Sequence, residues 1–171
     1  MIILGIDPGI AIVGWGVVDY SDSRFRTIAY GAITTESGME VELRLKKIYE
    51  ELNEIIDCYR PDEVAVEELF FTKNVTNGIA VAEARGVILL CASQHELYLA
   101  EYTPMQVKQA IVGYGKAEKQ QVMTLVTTLL RLKQMPKPDD VADALAIAVC
   151  HAHSGSSKLR SFYNQKKTVL S

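Results

Sequence analysis

Along this chain, unbroken apolar runs give way to apolar residues at helical spacing, and each change marks an element. IILGID (2–7) is a continuous apolar run that closes on an acid, as a buried strand does. IVGWGVVDY (12–20) and FRTIAYGAIT (25–34) follow it after turn signals at Pro8-Gly9 and Ser21-Asp22-Ser23. Connections this short suit an antiparallel meander. Residues 40–59 then place Val41, Leu45, Ile48, Tyr49, Leu52, Ile55 and Ile56 at helical spacing with charges opposite, an amphipathic helix that Arg60-Pro61 ends. EVAVEE (63–68) is a short strand rich in β-branched residues. The long helical connection before it permits parallel pairing with the first strand. A second helix is expected over 75–94, with Ala and Gly along one side. Such a side suits either close approach by another helix or subunit, or plain burial. LYLAEY (97–102) reads as a fifth strand, and helices are expected over 104–112, 118–132 and 139–153. The order is βββ-α-β-α-β followed by helices, an α/β fold with helices packed on a mixed sheet.

The 171 residues suffice for one domain with a substantial core. With 49% hydrophobic and 23% charged residues the composition is ordinary for a globular protein. No apolar run approaches the ~18 residues of a membrane span. The N-terminus lacks the basic flank of a signal peptide, so a cytoplasmic location and no membrane partner are expected. Cys58, Cys91 and Cys150 lie far apart without metal-ligand spacing and read as small core residues. The net charge of −3 excludes a uniformly basic nucleic-acid binder, but the charge is segregated. Residues 105–137 hold Lys108, Lys116, Lys119, Arg131, Lys133 and Lys137 against the single acid Glu118. The tail carries Lys158, Arg160, Lys166 and Lys167 with no acid. A basic surface beside an acidic site would result, unless these are only solvated helix faces. The expected layout is a domain over 1–155 and a basic, flexible tail over 156–171.

The chemistry lies in acids at places where acids are costly. Asp7 closes the first strand at a D-P-G turn, whose glycine lets a ligand approach the backbone. A plain strand-ending Asx turn is the alternative. Glu67 and Glu68 end the fourth strand and point to opposite faces, so one of them can join Asp7, and the alternation does not say which. Asp140 and Asp143 are i,i+3 neighbours in the first turn of the last helix, while Asp139 reads as an N-cap or first-turn residue. The helix dipole accounts for one or two such acids. It does not account for Asp143, whose face continues into Ala144, Ile147 and Ala148. Hard oxygen donors and few histidines favour Mg²⁺ or Mn²⁺ over zinc, in a two-metal phosphoryl site. His151 and His153 fall late on that helix and read as core or surface residues. Lys108 and Lys119 are candidate phosphate contacts, and one of Phe70 and Phe71 could stack on or wedge between bases.

Five segments in order resemble one family: GIDPG with GWGVV, VAVEELFFTKN, ARGVILL, TPMQVKQAIVGYGKAEKQQV and DDVADALAIAVCH. They are similar to the bacterial Holliday junction resolvases of the RuvC family, over residues 2 to 153. The resemblance implies a ribonuclease H-like fold with a five-stranded mixed sheet flanked by helices. It implies a Mg²⁺-dependent endodeoxyribonuclease with two ions per site, which Mn²⁺ can replace. Its substrate would be the four-way DNA junction, nicked symmetrically to leave 5′-phosphate and 3′-hydroxyl ends in recombination and repair. The family's catalytic and metal-binding acids fall on Asp7, Glu67, Asp140 and Asp143. Lys108 and Lys119 match its DNA-contacting lysines, with Lys119 also offsetting transition-state charge, and Phe70 matches its junction-stacking aromatic. The helix near 75–92 matches its dimerisation helix, implying a homodimer, and RuvA and RuvB are implied partners. Two other readings stand against this one: a junction-binding module that does not cleave, and an actin-like or sugar-kinase ATPase, which would need two such domains.

Overall fold

The computed structural model of the protein describes residues 1–69 and 75–154. Phe70, Phe71 and the tail over 156–171 lie outside the described residues. Three antiparallel strands open the chain: β1 (Ile2–Asp7), β2 (Ile12–Ser21) and β3 (Arg24–Thr34). After α1 (Val41–Tyr59), β4 (Glu63–Glu67) pairs parallel with β1. After α2 (Val75–Gln94), β5 (Tyr98–Tyr102) pairs parallel with β4. The single five-stranded mixed sheet has the order β3-β2-β1-β4-β5. Three helices follow: α3 (Pro104–Val112), α4 (Lys119–Leu129) and α5 (Asp139–Ser154).

β1 is apolar up to Asp7 because both faces of the sheet are covered. Ile3 faces the layer that contains α5, whereas Leu4 and Ile6 face α1 and α2, the two-residue period of a strand. Each such side chain, fully removed from water, contributes about 1.5–3 kcal/mol. In α5 every residue from Ala144 to Ala152 is buried, since the sheet covers one side and α3 and α4 cover the other. That explains why this helix lacks a polar stripe.

Some elements depart from expectation. α4 stops at Leu129 rather than running to 132. Arg131 adopts a left-handed φ of 51°, and the Leu132 N–H bonds the Thr127 carbonyl at 2.9 Å, a Schellman closure. Cys58 is exposed on α1, not in the core, while burial of Cys91 and Cys150 pushes both thiols up to about 11. Val41 is likewise exposed at the start of α1. α2 is not simply buried. Ala84, Ile88 and Cys91 face the core, while Ile79 and Leu90 are 55% and 51% exposed.

Candidate active site

Parallel pairing of β1 with β4 brings two strand C-termini side by side, and with them Asp7 and Glu67. α5 supplies the rest by starting directly above this edge. Its approach depends on two glycines. A Cβ on Gly5 would stand 2.1 Å from the Ala144 carbonyl oxygen, and one on Gly14 would stand 2.0 Å from that of Asp140. Gly14 is the register partner of Asp7 across β1 and β2. The missing side chain at 14 therefore sets Asp140 over the rung that carries Asp7.

The electrostatics record the convergence. Asp7 is raised from 3.8 to about 8, first by burial and then by the charges of Glu67, Asp143 and Asp140. Glu67 is raised by burial and then by Asp143, against the pull of Lys119 and Lys108. Asp143 is raised by burial, partly offset by its hydrogen bond to Lys119. Lys119 opens α4, where Glu118 and Gln121 form a capping box. Its Nζ lies 2.9 Å from Asp143 Oδ2 and 3.5 Å from Asp139 Oδ2. Burial pulls this lysine down, but its bonds to the two acids win, leaving it above its ordinary value.

A cleft of about 190 Å³ opens between these groups, lined by Glu67, Lys108, Lys119, Asp143 and apolar Val107 and Ile147. Five of the sequence candidates thus meet on one edge, and Lys108 joins them. Glu68 is exposed and takes no part in the coupling that raises the other acids. Asp139 is exposed but touches the site through Lys119. His151 is a core residue, as expected. It is 1% exposed, with Nδ1 at 2.8 Å from Tyr102 Oη and Nε2 at 2.6 Å from Glu63 Oε2. His153 is exposed.

The donor set fits hard divalent cations. It offers carboxylate oxygens, without thiol or imidazole, and carries more negative charge than Lys119 offsets. Among the described residues no three His, Cys, Asp or Glu side chains stand as a group that could hold a metal ion.

Sequence reasoning missed two supports. Arg44 Nε donates to Thr35 Oγ1 at 2.7 Å, and that hydroxyl donates to the Ile10 carbonyl at 2.5 Å, steadying the turn after Asp7. Nothing in the local pattern marks this chain of contacts. The spacing role of Gly14 was legible only as an odd pair of glycines in GWGVV.

The sequence pattern described as crossover junction endodeoxyribonuclease RuvC matches residues 3–151. The chain belongs to the RuvC family. A RuvC crossover junction endodeoxyribonuclease of Alkaliphilus metalliredigens is 61% identical over 155 residues, covering 91% of this chain and 94% of the relative. One from Clostridioides difficile is 56% identical over 154 residues, covering 90% and 91%. Among solved structures, T. thermophilus RuvC in complex with Holliday junction substrate is similar at a TM-score of 0.86. It shares 37% identity, with 91% of this chain and 94% of that one covered. No helix among the described residues is long and apolar enough to cross a membrane.

Proposed function

We propose that the edge formed by Asp7, Glu67, Asp140 and Asp143 is the nicking centre of this RuvC-family endonuclease, acting on four-way DNA junctions. The observation that carries the reading is the meeting of Asp7 and Glu67 at adjacent strand ends beneath the start of α5, where burial and three neighbouring acids raise the Asp7 carboxyl. A chain gains nothing in stability from acids so placed, and a cationic ligand is the natural counterpart.

The four carboxylates would hold two Mg²⁺ ions, or Mn²⁺ in their place, supplying an activated water and charge neutralisation at the phosphodiester. Lys119 stands where it can give up Asp143 for a phosphate oxygen and offset negative charge developing in the transition state. Lys108, on the same cleft, binds the backbone of the strand to be cut. Val107 and Ile147 give the cleft a wall with low polarity, which strengthens these contacts. In-line attack by water on phosphorus breaks the bond to the 3′ oxygen of the neighbouring nucleotide. For ends that ligate directly the leaving oxygen is that 3′-hydroxyl, and the phosphate stays on the 5′ end.

Paired nicks require two sites related by symmetry. The exposed apolar Ile79 and Leu90 on α2 support a homodimer through that helix. Phe70 is proposed to stack on bases at the junction. Residues 1–155 would be the nuclease, with the basic tail from 156 adding phosphate contacts. A cytoplasmic site of action is part of this reading, resting on the N-terminus without a signal peptide's basic flank, and RuvA and RuvB are proposed partners on the family resemblance.

The test is a synthetic four-way junction with nicks mapped on every strand, with and without Mg²⁺. Symmetrical nicks at opposed positions are expected, and Asp7→Asn should bind the junction without cutting it. Indiscriminate cutting of linear duplex, or junction binding without turnover at any Mg²⁺ or Mn²⁺ concentration, would overturn the reading.

A further inference from the structure

Two polar, titratable side chains are buried among the described residues, Glu63 at 4% exposure and His151 at 1%. They face each other. His151 Nε2 lies 2.6 Å from Glu63 Oε2, and its Nδ1 lies 2.8 Å from Tyr102 Oη. Each interrupts an otherwise apolar buried run, His151 in α5 and Glu63 in β4. Such a pair is a poor source of stability, because desolvation offsets much of what the contact returns and an apolar pair of like volume often does as well. What it supplies, and an apolar contact does not, is a fixed length and direction.

Its place in the fold gives that fixed length a use. Asp143, Ile147 and His151 follow at four-residue steps and form one stripe of α5. Glu67, Ala65 and Glu63 alternate onto one face of β4. The two rows run in opposite directions and match. At the site end, Glu67 is raised by burial and then by Asp143, so these two acids are neighbours. In the middle, Ile147 and Ala65 belong to one apolar cluster. At the far end His151 meets Glu63. Eight residues of helix rise about 12 Å and four of strand about 13 Å, so the rows have nearly the same length. Tyr102 strengthens the pin, since it is the register partner of Glu67 on β5 and its carbonyl accepts from the Glu68 N–H at 2.8 Å. Gly5 and Gly14 let α5 come close to β1 and β2. A contact made by a missing Cβ sets nearness, however, and not height along β4.

We propose that the Glu63–His151 hydrogen bond sets the height of α5 along β4, and with it the separation of Asp143 from Glu67, resting on the assignment of those two acids to the nicking centre. Glu63 and His151 are then positioning residues for the reaction, one strand-length away from it. An apolar pair could slide along the helix axis at little cost, whereas a short hydrogen bond holds its length. The consequence is large because a misplacement of about 1 Å, caused far from the chemistry, can cost about a hundredfold in rate.

The test varies the length of this anchor and its polarity separately. Glu63→Gln keeps both the length and an acceptor, and should nick junctions at close to the parent's rate. Glu63→Asp retracts the carboxylate by one methylene. It should slow single-turnover nicking by about tenfold or more, and weaken Mn²⁺ binding to the DNA-free protein, read by electron paramagnetic resonance, by about as much. Glu63→Leu combined with His151→Leu should melt near the parent yet show the same two losses. Junction affinity, measured with Ca²⁺ in place of Mg²⁺, should be unchanged in all three. Parent-like nicking and Mn²⁺ binding in Glu63→Asp, or a Glu63→Gln variant as defective as Glu63→Asp, would overturn the proposal. So would a folded double-leucine variant with full activity. If the double variant does not fold, the contrast between Glu63→Asp and Glu63→Gln decides alone. A parent that binds Mn²⁺ but nicks no junction would instead overturn the assignment of the centre, and the Mn²⁺ comparison would still judge the anchor.

Discussion

Among single residues, Asp7 carries the sharpest consequence. Its carboxyl titrates near 8 in the folded chain and near 3.8 when exposed. Between those values the folded state holds a proton that the unfolded state releases. Stability of the metal-free protein should therefore fall as pH rises from about 4 to about 8. Asp7→Asn should reduce that slope, to which the raised Glu67 and Asp143 also contribute, melting above the parent at pH 8 and level with it at pH 4, in thermal melts with a chelator. Parallel melting curves at all pH values would disprove the electrostatic reading of this acid. The same variant should lose well over about a hundredfold in cleavage, since even groups that only orient a metal's ligands are worth about 10–100-fold. Lys119→Ala should slow nicking by roughly 10²–10³, as loss of a donor to developing charge does elsewhere. If it altered only junction affinity, with single-turnover cleavage intact, Lys119 would be a binding residue alone. Asp7 and Asp143 were legible in the sequence because each interrupts an apolar pattern. Periodicity left Glu67 against Glu68 open, because alternation assigns opposite faces without saying which is which, and the family resemblance chose Glu67.

At the scale of elements, the site depends on how closely α5 lies on β1 and β2. Gly14→Ala places a Cβ 2.0 Å from the Asp140 carbonyl oxygen, a contact with rigid backbone that only displacement of the helix relieves. Overpacking of this kind typically costs about 1–3 kcal/mol. Nicking should drop far more than stability, as measured by denaturant unfolding beside cleavage rates. Loss of stability with full activity in the surviving fold would show that α5 need not sit so close. Further along the same helix, His151 joins Tyr102 and Glu63, tying α5 to both β4 and β5. The order and type of elements were read from periodicity, including the parallel pairing of β4. Their ends were not always so readable: α4 closes early because Arg131 turns left-handed, a choice that no residue preference announces.

For the whole molecule, the exposed Ile79 and Leu90 predict that α2 meets a second copy. Leu90→Asp should shift sedimentation towards the monomer and convert paired nicks into unpaired ones, while leaving each site's chemistry intact. A dimer unchanged by that substitution would place the interface elsewhere. The chain's sequence by itself determined its element order, the acids that break buried patterns, the segregation of its bases and its family. These follow from local properties, since period, charge and spacing are written in consecutive residues. Only the tertiary structure decided that Asp7, Glu67 and Asp143 lie close enough to raise one another, that Asp139 is held by Lys119, and that Gly14 makes room for Asp140. Each of these depends on residues far apart in the chain, and packing alone fixes their distance.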